Sequence, residues 1–376
     1  MKNFFLLDPN ITYLNHGSYG ACPYPVFNDY QKWQKKLEHQ PVQFMTKYLW
    51  KHLKESRDEL GAFLNCDGDD LLLFSNPTTA INNVIENLNL NEGDEVLMTQ
   101  HEYGALIRAW SRSSKINNLS IVEQPIDLPV NSKKNFINQF LKGITRKTKV
   151  IFISQITSQT GLVFPVKEIC EYAEKKGIIT IIDGAHVPGH INLNISELSC
   201  DFYTGACHKW LCAPKGASFL YVKKIFQDNL KPQVMSWGEE GEDPGPSQFL
   251  MDFQWQGTKD MSSFLSIPSA INFIESNDWK DNHKISKELI LKVSEDLKSV
   301  LGTNSLFESE DWVGQMVSHP LPLGSPEGLK DQLWREFLIE VPIFEWRKQK
   351  YIRVSAHFYN DKNDMETLIN ALKVLF

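Results

Sequence analysis

The chain has 376 residues, of which 42% are hydrophobic and 23% are charged. These proportions are typical of a globular protein and exclude a disordered chain, a collagen-like repeat and a coiled-coil rod. The chain carries 39 Lys and Arg residues against 46 Asp and Glu residues, so its net charge is −7. Such a chain lacks the basic surface of a general nucleic-acid binder. Its length predicts two or three domains.

The sequence shows no sign of membrane insertion or secretion. Its apolar runs are far shorter than the roughly 20 residues that a membrane-spanning helix needs, and its N-terminus has no signal-peptide cleavage pattern. The six cysteines are scattered and form no C-x-x-C pair. We therefore expect reduced thiols, a cytoplasmic location, no membrane contact and no metal site.

From residue 71 to 222, short apolar runs alternate with amphipathic stretches. This alternation predicts an α/β fold with a mostly parallel sheet covered by helices on both faces. The predicted strands are 71–75, 95–99, 119–123, 149–154, 178–183, 201–206 and 217–222. The helices predicted between them include 79–88, 135–141 and 166–176.

After residue 258 the pattern changes to long helical stretches followed by short strands. Helices are predicted at 262–275, 284–301, 328–337 and 361–375, and strands at 343–346 and 352–355. This order is typical of a smaller α+β domain. The polar, turn-rich segment 238–246 is predicted to be a loop near the domain boundary.

Polar residues follow several of the predicted strands, where open parallel sheets bind ligands. The segment 75–79, Ser-Asn-Pro-Thr-Thr, opens a helix and is either an anion site or an ordinary helix cap. Asp183 ends an apolar strand and needs a cation or hydrogen-bond donors; a Mg²⁺ ligand or a cap is the alternative.

Two cationic residues complete the set. Lys209 stands beside His208 in a segment with little charge, where desolvation would favour the neutral amine that forms a Schiff base; a surface lysine is the alternative. Arg353 could bind a substrate carboxylate through two hydrogen bonds, or form a structural ion pair. Together, a phosphate site, an aspartate, a lysine and an arginine are the components of a pyridoxal phosphate site.

The motifs around these residues resemble those of the class V aminotransferase family of fold-type I pyridoxal phosphate enzymes, and within it the isopenicillin N epimerase-like and cysteine desulfurase-like branch. The resemblance extends from residue 13 to 360 and rests on SNPTTAIN, TQHEYGA, SQTG, DGAHVPGH, TGACHKWLCAPKG, WQGTKD and R-x-S-x-H-x-Y-N. It implies a large domain over 22–258 with a seven-stranded sheet, and a small domain built from 1–21 and 259–376.

The resemblance also implies roles for individual residues in holding the cofactor. Lys209 resembles the lysine that forms the Schiff base, and Asp183 the residue that pairs with the pyridine nitrogen. The other cofactor contacts that it implies are Thr78, Thr79 and His208 at the phosphate, His186 at the ring hydroxyl, Gln159 near the ring, and Gly257 and Thr258 reaching the phosphate of a neighbouring subunit. A homodimer with shared active sites follows from the last two.

The substrate side of the site is implied in the same way. The side chain stacked on the ring is Tyr103, with His101 as the alternative, and either could serve as the catalytic acid. Arg353 resembles the arginine that binds the substrate carboxylate, and Asn15 and His16 resemble residues at the mouth of the site. The expected substrate is an amino acid.

Desulfurases of this family carry sulfur on a loop cysteine that precedes the carboxylate-binding arginine. Here no cysteine occurs between Cys212 and Arg353, which disfavours a persulfide relay. The leading hypothesis is an enzyme that forms a Cα carbanion, with Lys209 moving the proton, and cleaves the C–S bond of a cysteine derivative by β-elimination. An epimerase and a class V aminotransferase are the alternatives. A catalytically idle scaffold and a dehydrogenase are weaker ones, the latter because no G-x-G-x-x-G opens a helix after a strand.

Overall fold

The computed structural model describes residues 1–239 and 246–376. Seven strands of the described chain form its central sheet. They are β1 (Leu71–Phe74), β2 (Glu95–Thr99), β3 (Ser120–Gln124), β4 (Thr148–Ser154), β5 (Ile179–Gly184), β6 (Phe202–Ala206) and β7 (Ser218–Val222). Their order is β1-β7-β6-β5-β4-β2-β3, and only β7 runs antiparallel to its neighbours. The predicted mostly parallel, seven-stranded sheet is confirmed.

Both faces of this sheet are buried. Along β4, Ile151 and Ile153 belong to one apolar cluster, whereas Val150 and Phe152 belong to another on the opposite face. Side chains alternate between the two faces of a strand, so a strand that is apolar at consecutive positions must be covered on both sides. This is why the central strands could be identified from continuous apolar runs.

Helices cover the sheet and continue into the C-terminal part of the chain. The longer ones are α1 (Tyr24–His39), α2 (Leu49–Leu64), α3 (Pro77–Asn87), α4 (Gly104–Asn117), α5 (Lys133–Leu141), α6 (Val166–Lys176), α7 (Gln248–Gln254), α8 (Ile267–Glu275), α9 (Trp279–Leu301), α10 (Leu329–Phe337) and α11 (Lys362–Leu375). Short helices or turns occupy His16–Tyr19, Pro41–Gln43, Phe44–Tyr48, Lys224–Gln227 and Ser262–Leu265. Single turns of 3-10 helix occupy Lys2–Phe4, Gly68–Asp70, Ile195–Glu197 and Glu310–Trp312.

A second, three-stranded antiparallel sheet lies in the C-terminal part. Its strands are β8 (Met316–Pro320), β9 (Ile343–Trp346) and β10 (Gln349–Ser355), in the order β9-β10-β8. Apolar residues of β8 and β10 form one cluster with residues of α9 and α11. The α+β character predicted for this region is therefore present.

The N-terminal segment packs against this C-terminal part. Thr12–Tyr13 pairs in parallel with Ile339–Glu340, and Leu14 joins the cluster of the small sheet. Helix α8, by contrast, buries Ile271 and Ile274 in the same cluster as the large sheet. The domain boundaries at residues 21 and 258 stay a prediction.

Some elements differ from the sequence-based expectation. The single helix expected over 262–275 is two helices, because Pro268 in the first turn of α8 has no N–H to continue the preceding helix. Helices α1 and α2 and strand β8 were not predicted. Of the loop predicted at 238–246, residues 240–245 lie outside the described residues. Across the described ranges, no helix combines the length and apolarity needed to cross a membrane.

Candidate active site

The candidate site lies beyond the carboxyl ends of the parallel strands. Ser154 and Asp183 are register partners near the ends of β4 and β5, and Lys209 follows β6. A cavity of about 180 Å³ opens above them. Of the residues predicted from the sequence, those that line it are Thr78, Tyr103, Asp183, His186, His208 and Lys209.

Lys209 is a partly buried amine that faces this cavity. Its Nζ lies 3.1 Å from Nε2 of His186. Burial lowers the pKa of Lys209 from its ordinary 10.5 to about 8, against the opposing effect of the negative charge of Asp183. A substantial fraction of the amine is therefore neutral near physiological pH, the form that acts as a nucleophile or base.

Asp183 presents a carboxylate to the same space. Its Oδ1 accepts a hydrogen bond of 2.9 Å from the backbone N–H of Ala185. Burial raises the pKa of Asp183, while this hydrogen bond and the positive charge of Lys209 lower it. A buried carboxylate in this position is stabilised by a cationic N–H placed beside it.

The start of α3 forms the end of the cavity suited to an anion. Asn76 caps this helix, because its Oδ1 accepts hydrogen bonds from the N–H of Thr79 at 2.8 Å and from the Thr79 hydroxyl at 3.1 Å. Thr78 and Asn76 line the cavity. The free N–H groups and the dipole of a helix N-terminus favour a phosphate here.

His208 lies on the cavity wall with one ring nitrogen already committed. Its Nδ1 donates to the carbonyl of Ala217 at 3.0 Å. Burial and the charge of Lys209 lower the pKa of His208 to about 4, so the ring is neutral while no anion lies beside it.

The two candidates for the stacking side chain occupy different places. Tyr103 is 43% exposed and lines the cavity. His101 is fully buried between Phe164 and Trp346, and its Nδ1 is bonded to the hydroxyl of Thr160 at 3.0 Å. The structure thus brings Tyr103 to the cavity and leaves His101 behind its wall.

Arg353 is a buried guanidinium next to the cavity. Its Nη1 donates to the carbonyl of Ser158 at 2.5 Å and its Nη2 to the hydroxyl of Ser18 at 2.9 Å, and both serines line the cavity. Within the described residues, no carboxylate forms an ion pair with Arg353 and its Nε has no partner. The positive charge is available to an anionic ligand, which corrects the alternative of a structural ion pair.

The two N-terminal residues predicted at the mouth lie elsewhere. Asn15 accepts a hydrogen bond from Ser18 and donates to Glu340 at 3.2 Å, so it reaches Arg353 only through Ser18. His16 is fully buried beneath the lysine turn, with Nδ1 bonded to the Tyr359 hydroxyl at 2.8 Å and Nε2 to the Lys209 carbonyl at 3.1 Å. Its burial places His16 behind Lys209 rather than at the mouth.

Four further predicted residues do not line the cavity of their own chain, namely Thr79, Gln159, Gly257 and Thr258. Gln159 donates to the carbonyl of Glu102 at 3.4 Å. Thr258 is exposed, and Gly257 has a positive φ of 111° with open space where a Cβ would lie. If these last two residues contact a cofactor, it is that of another subunit.

Glu102 is a functional candidate that the sequence analysis missed. Its carboxylate is fully buried and accepts hydrogen bonds from the Thr99 hydroxyl at 2.6 Å and from the N–H and hydroxyl of Ser154 at 2.8 and 2.6 Å. Burial raises the pKa of Glu102 to about 7, and the charge of Asp183 adds to this. Its position within TQHEYGA was the only signal, and an acid near a helix start is ordinarily a surface residue.

His16, Cys212 and His357 form the one group of potential metal ligands found among the described residues. Two of their nitrogens already have other partners, since His16 Nε2 donates to the Lys209 carbonyl and His357 Nε2 to the Trp210 carbonyl at 3.2 Å. The two imidazoles are stacked 4.0 Å apart, so their in-plane lone pairs do not converge. We assign the group to hydrogen bonding and packing.

This set of side chains fits pyridoxal phosphate. A helix N-terminus with hydroxyls suits its phosphate, the buried carboxylate of Asp183 suits its pyridinium N–H, and the desolvated amine of Lys209 suits its aldehyde. The anion-accepting Arg353 lies at the side of the cavity formed by Ser18 and Ser158, where an amino acid carboxylate can be bound.

Comparison with known proteins gives a consistent result. The family model described as aminotransferase class-V matches residues 21–368. The isopenicillin N epimerase of Amycolatopsis lactamdurans is 32% identical over 98% of this chain and 96% of that protein. The putative L-cysteine desulfhydrase 1 of Oryza sativa subsp. japonica is 28% identical over 98% of this chain and 84% of its own length.

Solved structures share the fold. A lysine mutant of C-DES, with glycine covalently linked to its PLP cofactor, superposes with a TM-score of 0.86 at 20% identity. The match covers 98% of this chain and 97% of that one.

Proposed function

The chain belongs to the class V aminotransferase family, and from this premise we propose that it is a C–S lyase acting by β-elimination on a cysteine derivative. Its cofactor is pyridoxal phosphate. When bound, this cofactor withdraws electrons from the Cα of an attached amino acid and makes the Cα proton acidic. The remaining steps depend on side chains of this chain.

Lys209 is the group that moves the Cα proton. Its buried amine has a pKa lowered to about 8 by desolvation, so it can accept a proton near neutral pH and return it. Asp183 stabilises a positive charge on the ring nitrogen. Arg353 binds the substrate carboxylate and fixes the orientation of the Cα–H bond.

The observation that carries the choice of a lyase over a persulfide-forming desulfurase is that no thiol lines the cavity among the residues that the structure describes. None of the six cysteines is among its lining residues. Cys207 and Cys212, which flank Lys209, are fully buried, and burial raises the pKa of both thiols. A thiol in this state is a poor sulfur acceptor, whereas β-elimination needs only a base, a leaving group and an acid. Tyr103 is the cavity-lining candidate for the acid.

The names of the relatives support both this proposal and a second candidate. Proteins called L-cysteine desulfhydrase from rice and Arabidopsis thaliana are 24–28% identical over most of this chain. The two isopenicillin N epimerases are 32% and 30% identical, which favours amino-acid epimerisation as the alternative. Epimerisation needs a proton donor on the face opposite Lys209, and Tyr103 is again the candidate.

We also propose a homodimer in which Gly257 and Thr258 complete the phosphate site of the other subunit. The support is that these residues do not line the cavity of their own chain and that Thr258 is exposed.

The test is proton NMR of the holoenzyme in heavy water with a panel of S-substituted cysteines and their sulfoxides. The lyase proposal expects pyruvate to appear at a rate that depends on the leaving group. Lys209→Ala is expected to lower this rate roughly 10²- to 10⁴-fold because the proton-transfer group is lost. Free pyridoxal phosphate with the same substrates gives the background rate.

Each other outcome has a definite meaning. Loss of the α-proton signal from an intact amino acid, without pyruvate, would contradict the lyase proposal and select the epimerase. Formation of pyridoxamine phosphate and a keto acid would select an aminotransferase.

A further inference from the structure

Four buried histidines surround the lysine turn, and each has partners that fix its protonated nitrogen. A carbonyl oxygen can only accept a hydrogen bond, and an indole or backbone N–H can only donate one. His190 Nδ1 therefore donates to the His186 carbonyl at 2.9 Å, while its Nε2 accepts from the Gln315 N–H at 2.6 Å. His16 and His357 both donate from Nε2, to the carbonyls of Lys209 and Trp210.

The same reasoning applied to His186 shows which form of the active-site amine the surrounding residues favour. The indole N–H of Trp210 points at Nδ1 of His186 at 3.3 Å, so Nδ1 must be the unprotonated nitrogen. The ring proton of neutral His186 is then on Nε2, which lies 3.1 Å from Nζ of Lys209. Since Nε2–H is a donor and only a neutral amine can accept from it, this geometry favours the neutral form of Lys209.

Trp210 is well suited to impose this arrangement because it cannot turn. Its indole is fully buried, with the ring of His190 at 3.9 Å and that of His16 at 4.9 Å. Its N–H also disfavours the imidazolium form of His186, in which two N–H groups would face each other.

We propose that Trp210 is a positioning residue that holds His186 in its Nε2–H tautomer, so that His186 donates to Lys209 and favours the neutral, reactive form of this amine. Burial, which lowers the pKa of both His186 and Lys209, acts in the same direction. The kinetic consequence rests on the role proposed for Lys209, whereas the tautomer itself does not.

The direct test is ¹⁵N NMR of histidine-labelled holoenzyme and of enzyme stripped of cofactor. The two nitrogens of a neutral imidazole differ strongly in shift, and His186→Gln identifies the His186 signals by their loss. We expect an Nε2–H tautomer in the wild type and a mixture of tautomers in Trp210→Phe. The matched control is Trp110→Phe, because Trp110 is an equally buried indole with no hydrogen-bond partner among the described residues.

The second readout is the rate at which cofactor attaches to Lys209 in the stripped enzyme, followed by absorbance at neutral pH. Trp210→Phe should slow attachment roughly two- to tenfold, the effect of one ordinary hydrogen bond, and Trp110→Phe should not. The glutamine side chain of the His186→Gln variant has no tautomers, so adding Trp210→Phe to that variant should have no further effect.

Either of two results would overturn the proposal. A wild-type His186 that carries its proton on Nδ1, or on both nitrogens, contradicts it even if Trp210→Phe fails to fold. An unchanged tautomer in a folded Trp210→Phe protein shows that another group fixes His186. Because neither measurement uses a substrate, both are independent of whether the enzyme is a lyase or an epimerase.

Discussion

The burial of the Lys209 amine favours its reactivity but lowers the stability of the folded protein. The burial that makes its amine reactive also places a positive charge in the protein interior whenever the amine is protonated. The structure provides Asp183 as the nearby negative charge, yet the pKa of Lys209 still lies below its ordinary value. The desolvation penalty is therefore only partly offset, and the folded state is destabilised at neutral pH.

This penalty can be measured with Lys209→Met in enzyme stripped of cofactor. The folded pKa of about 8 lies below the ordinary 10.5, so at pH 7 the amine is mostly protonated in both the folded and the unfolded state, and the folded state bears most of the penalty. We expect the variant to be more stable than the wild type at pH 7, by an amount on the order of 3 kcal/mol. The difference should shrink as pH rises from 8 to 10.5, where the unfolded lysine also becomes neutral.

Denaturant unfolding at pH 7 and pH 10 gives both free energies. Lys330→Met is the matched control, because Lys330 is exposed on α10 and such changes are usually within about 0.5 kcal/mol. Equal stabilities of Lys209→Met and wild type at pH 7 would contradict the burial of a charged amine.

At the level of single residues, the sequence predicted the side chains that line the cavity better than the side chains that support them. Asp183, Lys209 and Thr78 could be placed because they follow strands, where parallel sheets bind ligands. Glu102 and Trp210 act through partners on other elements, so their roles depend on tertiary contacts. His16 has a place in a motif but no periodic pattern around it, and its burial was not predictable.

Among the elements, α3 links local sequence to ligand binding most directly. Asn76 both caps the helix and lines the cavity. Asp at this position keeps an oxygen that can accept the Thr79 N–H, whereas Ala removes it. The two substitutions therefore separate the structural role of the cap from its electrostatic role.

We expect Asn76→Ala to destabilise the stripped enzyme by about 1 kcal/mol through loss of the cap. Asn76→Asp should leave stability nearly unchanged but weaken binding of pyridoxal phosphate roughly tenfold, because a negative charge then faces the phosphate. Thermal unfolding without cofactor and a binding titration give the two quantities.

Ser132→Ala provides the control for an ordinary cap. Its hydroxyl accepts the Asn135 N–H at the start of α5, and Ser132 does not line the cavity. This variant should lose stability without losing cofactor affinity. Undiminished binding by Asn76→Asp would show that the phosphate lies elsewhere.

Among the strands, prediction from sequence succeeded for those that are buried on both faces. Each large-sheet strand was predicted to within one residue of its bounds, because strands buried on both faces are continuously apolar. Strand β8 was not predicted because the polar residues Ser318 and His319 interrupt its apolar run. Helix α2 carries Leu49, Leu53, Leu60 and Leu64 on one face, which is a helical spacing, but it lies before the stretch 71–222 from which the elements of the large sheet were predicted.

At the scale of the whole molecule, the two ends of the chain meet at one site. The pairing of Thr12–Tyr13 with Ile339–Glu340 brings Ser18 to Arg353. A pair of two-residue strands has almost no sequence signal, so this pairing was not predicted; the family resemblance implied only that residues 1–21 belong to the small domain. The site thus depends on contacts between residues more than 300 positions apart, which local patterns do not encode.

The proposed sharing of sites between subunits is tested by mixing two inactive variants. Thr258→Asp would place a negative charge beside the phosphate, and Lys209→Ala removes the reactive amine. If Thr258 serves the other subunit, a dimer of one chain of each kind has one site with both residues intact and one site with neither. Such mixed dimers should recover about half the wild-type activity per dimer.

The alternative arrangement predicts a different result. If Thr258 acts within its own chain, each site of the mixed dimer lacks one residue, and mixing recovers nothing. Differently tagged chains, co-expressed and purified through both tags, give the mixed dimer free of either parent. Because Thr258 is exposed in the single chain, Thr258→Ser provides a matched control that should keep its activity. Recovery of activity in the mixed dimer would therefore show that Thr258 completes the phosphate site of the other subunit.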